Sequence, residues 1–191
     1  MSLRELLIEH RTSILQDWRD TILETYPPDS VPFFKREKDR FNNPVGHSVL
    51  EGTAALYDLL LDVEGIGEDN SAIDGLIRMR SVQEFSPSRA IGFIFLLKNV
   101  ISEKLAGRWN DEMLLGEKTD LESRIDELAL LVFDIYMRCR ERAYEVRMGE
   151  FKRMSSRLLN RINEAYGGPP KEGFEDDGGF FETNGMNGGT D

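Results

Sequence analysis

Arg78-Met79-Arg80-Ser81-Val82-Gln83-Glu84-Phe85-Ser86-Pro87-Ser88 is the stretch that decides the fold, because it ends one helix and starts another. Ahead of it, Ile73, Leu76, Ile77, Met79 and Val82 recur at helical spacing and predict a helix over about residues 72–83 with those side chains inward. Ser86 before Pro87 is a cap followed by a proline start. The hydroxyl accepts a free N–H of the first turn, and proline at the first helical position has no N–H to leave unpaired. Asn43-Pro44-Val45-Gly46-His47 repeats the device with asparagine as the cap.

Working outward, Leu3, Leu6, Leu7, Ile14, Leu15, Trp18, Ile22 and Leu23 mark an amphipathic helix that Pro27-Pro28 stops. A charged loop follows, in which Phe33, Phe34 and Phe41 are expected to pin the chain to the body. The helix opened by Asn43 carries Val45, Val49, Leu50, Leu56, Leu59 and Leu60 to a stop near Gly65-Ile66-Gly67. The helix opened by Ser86 carries Ala90, Ile91, Phe93, Ile94, Leu97, Val100 and Ile101, an apolar face wide enough for the middle of a bundle. No stretch alternates with period two. The expected class is all-α, a single bundle of about five helices.

From about Thr119 to Tyr166 there is no proline and one glycine, Gly149. The first half is strongly apolar (Leu121, Ile125, Leu128, Leu131, Val132, Ile135, Cys139), and the second carries a thinner stripe of Val146, Phe151, Met154, Leu158 and Ile162. A continuous helix of that length spans about 70 Å, so its back half should protrude from the bundle and need a partner, most simply its own copy. The alternative is a break near Gly149. The domain reading is a helical body over 1–145, a helix extension over 146–166 and a disordered acidic tail over 167–191.

That tail holds eight glycines and six acids against the single base Lys171, too little apolar surface to offset chain entropy. Without it the net charge falls from −11 to −6, ordinary for one domain. Cys139 is the sole cysteine, which excludes an intrachain disulfide and a multi-cysteine metal cage. No signal pattern opens the sequence and no apolar run approaches the roughly 20 residues of a membrane span. The expected location is cytoplasmic, with no membrane association.

Four separated motifs occur in order: a Trp-bearing helix closing in Tyr26-Pro27-Pro28, then Asn43–His47, then Arg78–Ser88, then Phe93-Ile94-Phe95-Leu96-Leu97-Lys98. In this the chain resembles the RsbRD N-terminal domain family, the input module of some co-antagonists of the kinase RsbT in bacterial stress signalling. The resemblance spans roughly residues 3–145. It implies a small helical sensor, globin-like in outline, that passes a signal through its C-terminal helix. It also implies structural roles for Asn43, Pro44, Gly46, Phe85 and Pro87. Co-antagonists carry a STAS output domain after that helix, whereas here a Gly/Asp/Glu tail follows, so the expectation is a stand-alone input module.

Chemistry is sparse. Arg80, Gln83 and the N–H groups after Ser86 have two readings: an anion or small-ligand pocket, or capping together with an Arg80–Glu84 pair one helical turn apart. Capping is the cheaper explanation. His47 reads either as an axial haem ligand, by analogy with globin-like input domains, or as a first-turn histidine facing a loop or water; the second is preferred, so no cofactor is expected. His10 reads as a solvated helix residue. Two histidines and one cysteine make an all-protein zinc site implausible. The distal helix is basic, but its arginines are interleaved with acids, which reads as a solvated face rather than a nucleic-acid surface. No nucleophile triad, phosphate loop or metal-spaced cluster is present. The expectation is a non-enzymatic sensory or regulatory protein, a homodimer through the long helix that signals to a separate protein partner. The alternatives are an accessory factor for a larger, possibly respiratory, enzyme complex and a haem-binding sensor.

Overall fold

A computed structural model describes residues 1–37, 39–62, 71–83, 85–109 and 111–167. Among these residues the chain is all-α, without a strand. Its helices are α1 (Leu3–Glu9), α2 (Arg11–Leu23), α3 (Val31–Arg36), α4 (Pro44–Leu61), α5 (Ser71–Val82), α6 (Pro87–Ile91), α7 (Phe93–Lys104) and α8 (Glu112–Tyr166), with a 3-10 turn at Ala106–Arg108. The chain divides into one compact unit, Met1–Arg147, and a second, Met148–Asp191.

The core of the first unit is continuous from α1 to the front of α8. Trp18, Ile22, Leu56, Tyr57, Leu76, Phe93, Ile94, Leu97, Ile125 and Val132 are all buried in it. Helices α4 and α5 approach closely at Gly52, where a Cβ would stand 2.6 Å from Leu76. The Trp18 ring stacks on Phe93 at 6.1 Å, and its Nε1–H donates to the Phe93 carbonyl at 2.8 Å.

Two helices expected to be continuous are each broken, and both breaks have a donor behind them. Helices α1 and α2 meet at His10, where the Leu7 carbonyl, due to pair with Arg11 in a straight helix, accepts the buried Tyr57 hydroxyl at 3.0 Å. Helices α6 and α7 meet at Gly92, where the Arg89 and Ala90 carbonyls accept the Arg80 guanidinium at 3.0 and 2.9 Å. A side chain inserted into the hydrogen-bond ladder is a recognised cause of a kink.

Other expectations need correction. Val82 is not inward but 70% exposed, and Arg80 takes the inward place at 1%. Leu50 is half exposed, while Thr53 and Tyr57 on the same helix are buried. The expected loop contains the short helix α3, whose Phe34 packs on the core while Phe33 is 42% exposed, and Phe41 lies out in solvent beneath Arg40. Helix α8 starts at Glu112, ahead of the expected Thr119, and runs unbroken through Gly149. The expected stop at Gly65-Ile66-Gly67 and the tail after Gly167 lie outside the described residues.

Asn43 shows why that cap is an asparagine. Its Oδ1 accepts from the Gly46 N–H at 2.8 Å, while its Nδ2 donates to the Phe34 and Glu37 carbonyls at 2.8 and 2.7 Å, all at 2% exposure. Gly46 leaves room for this amide, since a Cβ there would lie 2.3 Å from Nδ2. Aspartate is as good a cap as asparagine at an open helix end. Here it would face two carbonyls with no donor. Asn43→Asp is expected to cost about 2–3 kcal/mol in urea unfolding; a loss below about 0.5 kcal/mol would contradict this account of the cap.

Candidate functional site: the Arg80 turn and the distal face of α8

The end of α5 delivers Arg80 into the core, where it meets groups from three other segments. Its Nε donates to the Ala90 carbonyl, its Nη2 to the Arg89 carbonyl, and its Nη1 to the Tyr26 hydroxyl at 3.2 Å. The guanidinium carbon stands 4.7 Å from the Phe85 ring centre, 5.1 Å from Phe93 and 5.6 Å from Tyr26. Tyr26 in turn donates to Gln83 Oε1 at 3.0 Å and meets Phe34 and Phe85 edge-on. Among the described residues no carboxylate pairs with this cation. The negative ends of two carbonyl dipoles and three aromatic faces compensate it instead.

Burial lowers the Arg80 guanidinium below its usual value, with Tyr26 opposing that shift. It stays charged all the same. Burial likewise raises the Tyr26 phenol, against the pull of Arg80 and Gln83, and raises the Tyr57 phenol beside Leu7.

The residues singled out from sequence are distributed as follows. Arg80 and Gln83 are brought together, but through Tyr26 and inside the core. Phe85 is partly buried and closes one side of the same cluster. Ser86 caps α6, its hydroxyl accepting from the Arg89 N–H at 3.4 Å, with Pro87 at the helix start. Asn43, Pro44 and Gly46 form the opening of α4. Glu84, the sequence-expected partner of Arg80, lies outside the described residues. His47 is on α4, its Nε2 3.1 Å from Glu51 one turn on. Arg80, Gln83, Ser86 and His47 line none of the larger cavities. His47 thus has a carboxylate partner on its own helix. Among the described residues no group of His, Cys, Asp and Glu could hold a metal ion, and no helix is long and apolar enough to cross a membrane.

An open groove of about 870 Å³ lies between α5 and α8, lined by Arg78, Val82, Ile135, Cys139 and Arg142 among others. Sequence reading missed two residues that hold the end of α5. Tyr26 was visible only as the residue before two prolines, and Arg140, which donates to the Ser81 carbonyl at 3.2 Å, looked like one more solvated arginine.

In the second unit no described residue from Met148 to Gly167 is buried. Met148, Phe151, Leu158 and Ile162 are 55, 65, 62 and 46% exposed. With Ser155 they follow steps of three and four residues, the a/d face of a heptad repeat.

The family described as the RsbT co-antagonist protein rsbRD N-terminal domain matches residues 12–149. An uncharacterized protein of Archaeoglobus fulgidus is 27% identical over 154 residues, covering 80% of this chain and 91% of that protein. No solved structure matches the chain.

Arg80→Met fills similar volume but leaves the Arg89 and Ala90 carbonyls without their donor, and it should cost about 3 kcal/mol in urea unfolding. A variant as stable as the parent would refute the assignment. Both phenols ionise near pH 10 in the unfolded chain and higher in the fold. The stability they contribute is therefore complete below pH about 10 and lost as pH rises through the folded values. Urea midpoints should fall above pH about 10, and less steeply in a Tyr26→Phe, Tyr57→Phe variant; parallel pH curves would count against it.

Proposed function

The chain belongs to the RsbRD N-terminal domain family, and on that premise we propose a non-enzymatic sensory or regulatory protein of the cytoplasm. In this reading the bundle receives a cue and α8 carries it to a separate protein. A second copy of the chain covers the distal face of α8, making the working unit a homodimer.

The observation that carries this reading is the contrast along α8. Leu114, Leu121, Ile125, Leu128, Val132, Ile135 and Tyr136 are buried, whereas Met148, Phe151, Leu158 and Ile162 are exposed on one helix face. An isolated helix with an uncovered a/d face loses the packing that supplies most helical stability. A coiled-coil pairing restores it, with Ser155 as a polar position within the seam. Such an arrangement suits transmission, since a change in how the bundle holds one end of the helix alters the pairing at the other. A cue can shift that balance only through different affinity for the two arrangements.

Sedimentation equilibrium on the full chain tests this. The parent protein is expected to be a dimer, and Phe151→Glu with Leu158→Glu to be a monomer that keeps its helical circular dichroism. A parent protein that stays monomeric, or a double variant that stays dimeric, would remove the basis for the reading.

A further inference from the structure

The C-terminal turn of α5 is anchored in several directions within a few residues. Arg80 ties it to the end of α6 and to Tyr26, and Gln83 ties it again to Tyr26. Between them Ser81 is 2% exposed and donates its hydroxyl to the Arg78 carbonyl at 2.8 Å. Its own carbonyl belongs to the last turn of α5, where carbonyls lack intrahelical partners and carry the negative end of the helix dipole. That carbonyl accepts Arg140 Nη1 from α8 at 3.2 Å.

Arg140 is itself two-pronged. Its Nη2 donates to the Tyr144 hydroxyl at 3.2 Å, and its guanidinium carbon stands 5.3 Å from the Tyr144 ring centre. The other polar ties from the bundle to α8 sit near its start: the Leu3 N–H to Glu117, Arg124 to the Asp62 carbonyl, and Lys98 to Asp126. Among the described residues Arg140 is the last polar tie from α8 to the helices packed against it.

We propose that Arg140 is the positioning residue through which the state of the Arg80 turn is read by α8. The inference rests on the reading of α8 as the output helix. Loosening the Tyr26–Gln83–Arg80 cluster displaces the Ser81 carbonyl. Arg140 then either follows it or lets go, and Tyr144, stacked on the same guanidinium, changes with it. A fork that holds a carbonyl with one amine and a phenol with the other is a job for arginine; a lysine ammonium is a single point charge on a flexible stem. The link is a physical one between two named elements, so its coupling can be measured by a double-mutant cycle.

The test is hydrogen exchange by mass spectrometry on the full chain in four forms: parent, Gln83→Ala, Arg140→Ala and the double variant. Gln83→Ala removes one half-buried hydrogen bond and leaves the core intact. It should speed exchange of the α8 amides over 136–147 by about threefold or more in the parent background. With Arg140→Ala already present the added acceleration should drop below about 1.5-fold. Arg140→Gln replaces Arg140→Ala should the latter fail to fold. Equal acceleration in both backgrounds overturns the role of Arg140 while leaving α8 as the output helix. No change in α8 in either background overturns the Arg140 assignment and the output reading together, even in a protein that sedimentation finds dimeric.

Discussion

A cation that no carboxylate among the described residues pairs with is buried where α6 meets α7, and the arrangement of the bundle follows from how its guanidinium is satisfied. Arg80 needs acceptors inside the core, and the Arg89 and Ala90 carbonyls supply them only because α6 ends there. The break at Gly92 is thus a consequence of the arginine as much as of the glycine. Tyr26, Phe85 and Phe93 present their rings to the same guanidinium, which fixes where the chain after α2, the turn after α5 and the start of α7 must lie. A satisfied buried polar cluster constrains geometry more tightly than apolar contact, because its hydrogen bonds tolerate little displacement.

The same cluster accounts for three of the four ordered motifs. Tyr26-Pro27-Pro28 contributes the phenol, Arg78–Ser88 the arginine, the amide and the α6 cap, and Phe93 a ring and the acceptor for Trp18. The fourth, Asn43–His47, is a separate device in which one amide caps α4 and ties down the α3 segment through Phe34 and Glu37. Within the Arg78–Ser88 motif, Arg78, Ser81 and Val82 line the groove beside α8, while Arg80 and Gln83 meet at Tyr26 and Ser86 caps α6.

Much of this was legible in sequence. Period and punctuation identified α4, α5, α8 and the cap-then-proline starts, because those features are local. Tertiary hydrogen bonds were not legible. Nothing in the apolar pattern of Leu3–Leu23 announces that Tyr57 will take the Leu7 carbonyl and part α1 from α2. A periodicity rule also places Val82 inward and Arg80 outward, since it scores polarity and cannot see two waiting carbonyls. The inversion at these two positions mattered most, because it left the centre of the polar cluster out of the expected core. Arg140 was missed for the same reason: its partner, the Ser81 carbonyl, lies far away in sequence.

The central claim is that the Arg80 guanidinium is sealed in the core and held by backbone carbonyls. Nitrogen-15 NMR of the arginine Nε–H groups tests it directly. A sealed Arg80 gives a sharp Nε–H signal that exchanges with solvent on the order of hours, like core amides and unlike surface arginines. An Arg80 signal broadened by rapid exchange at neutral pH, as for the solvent-facing arginines of α8, would contradict the account.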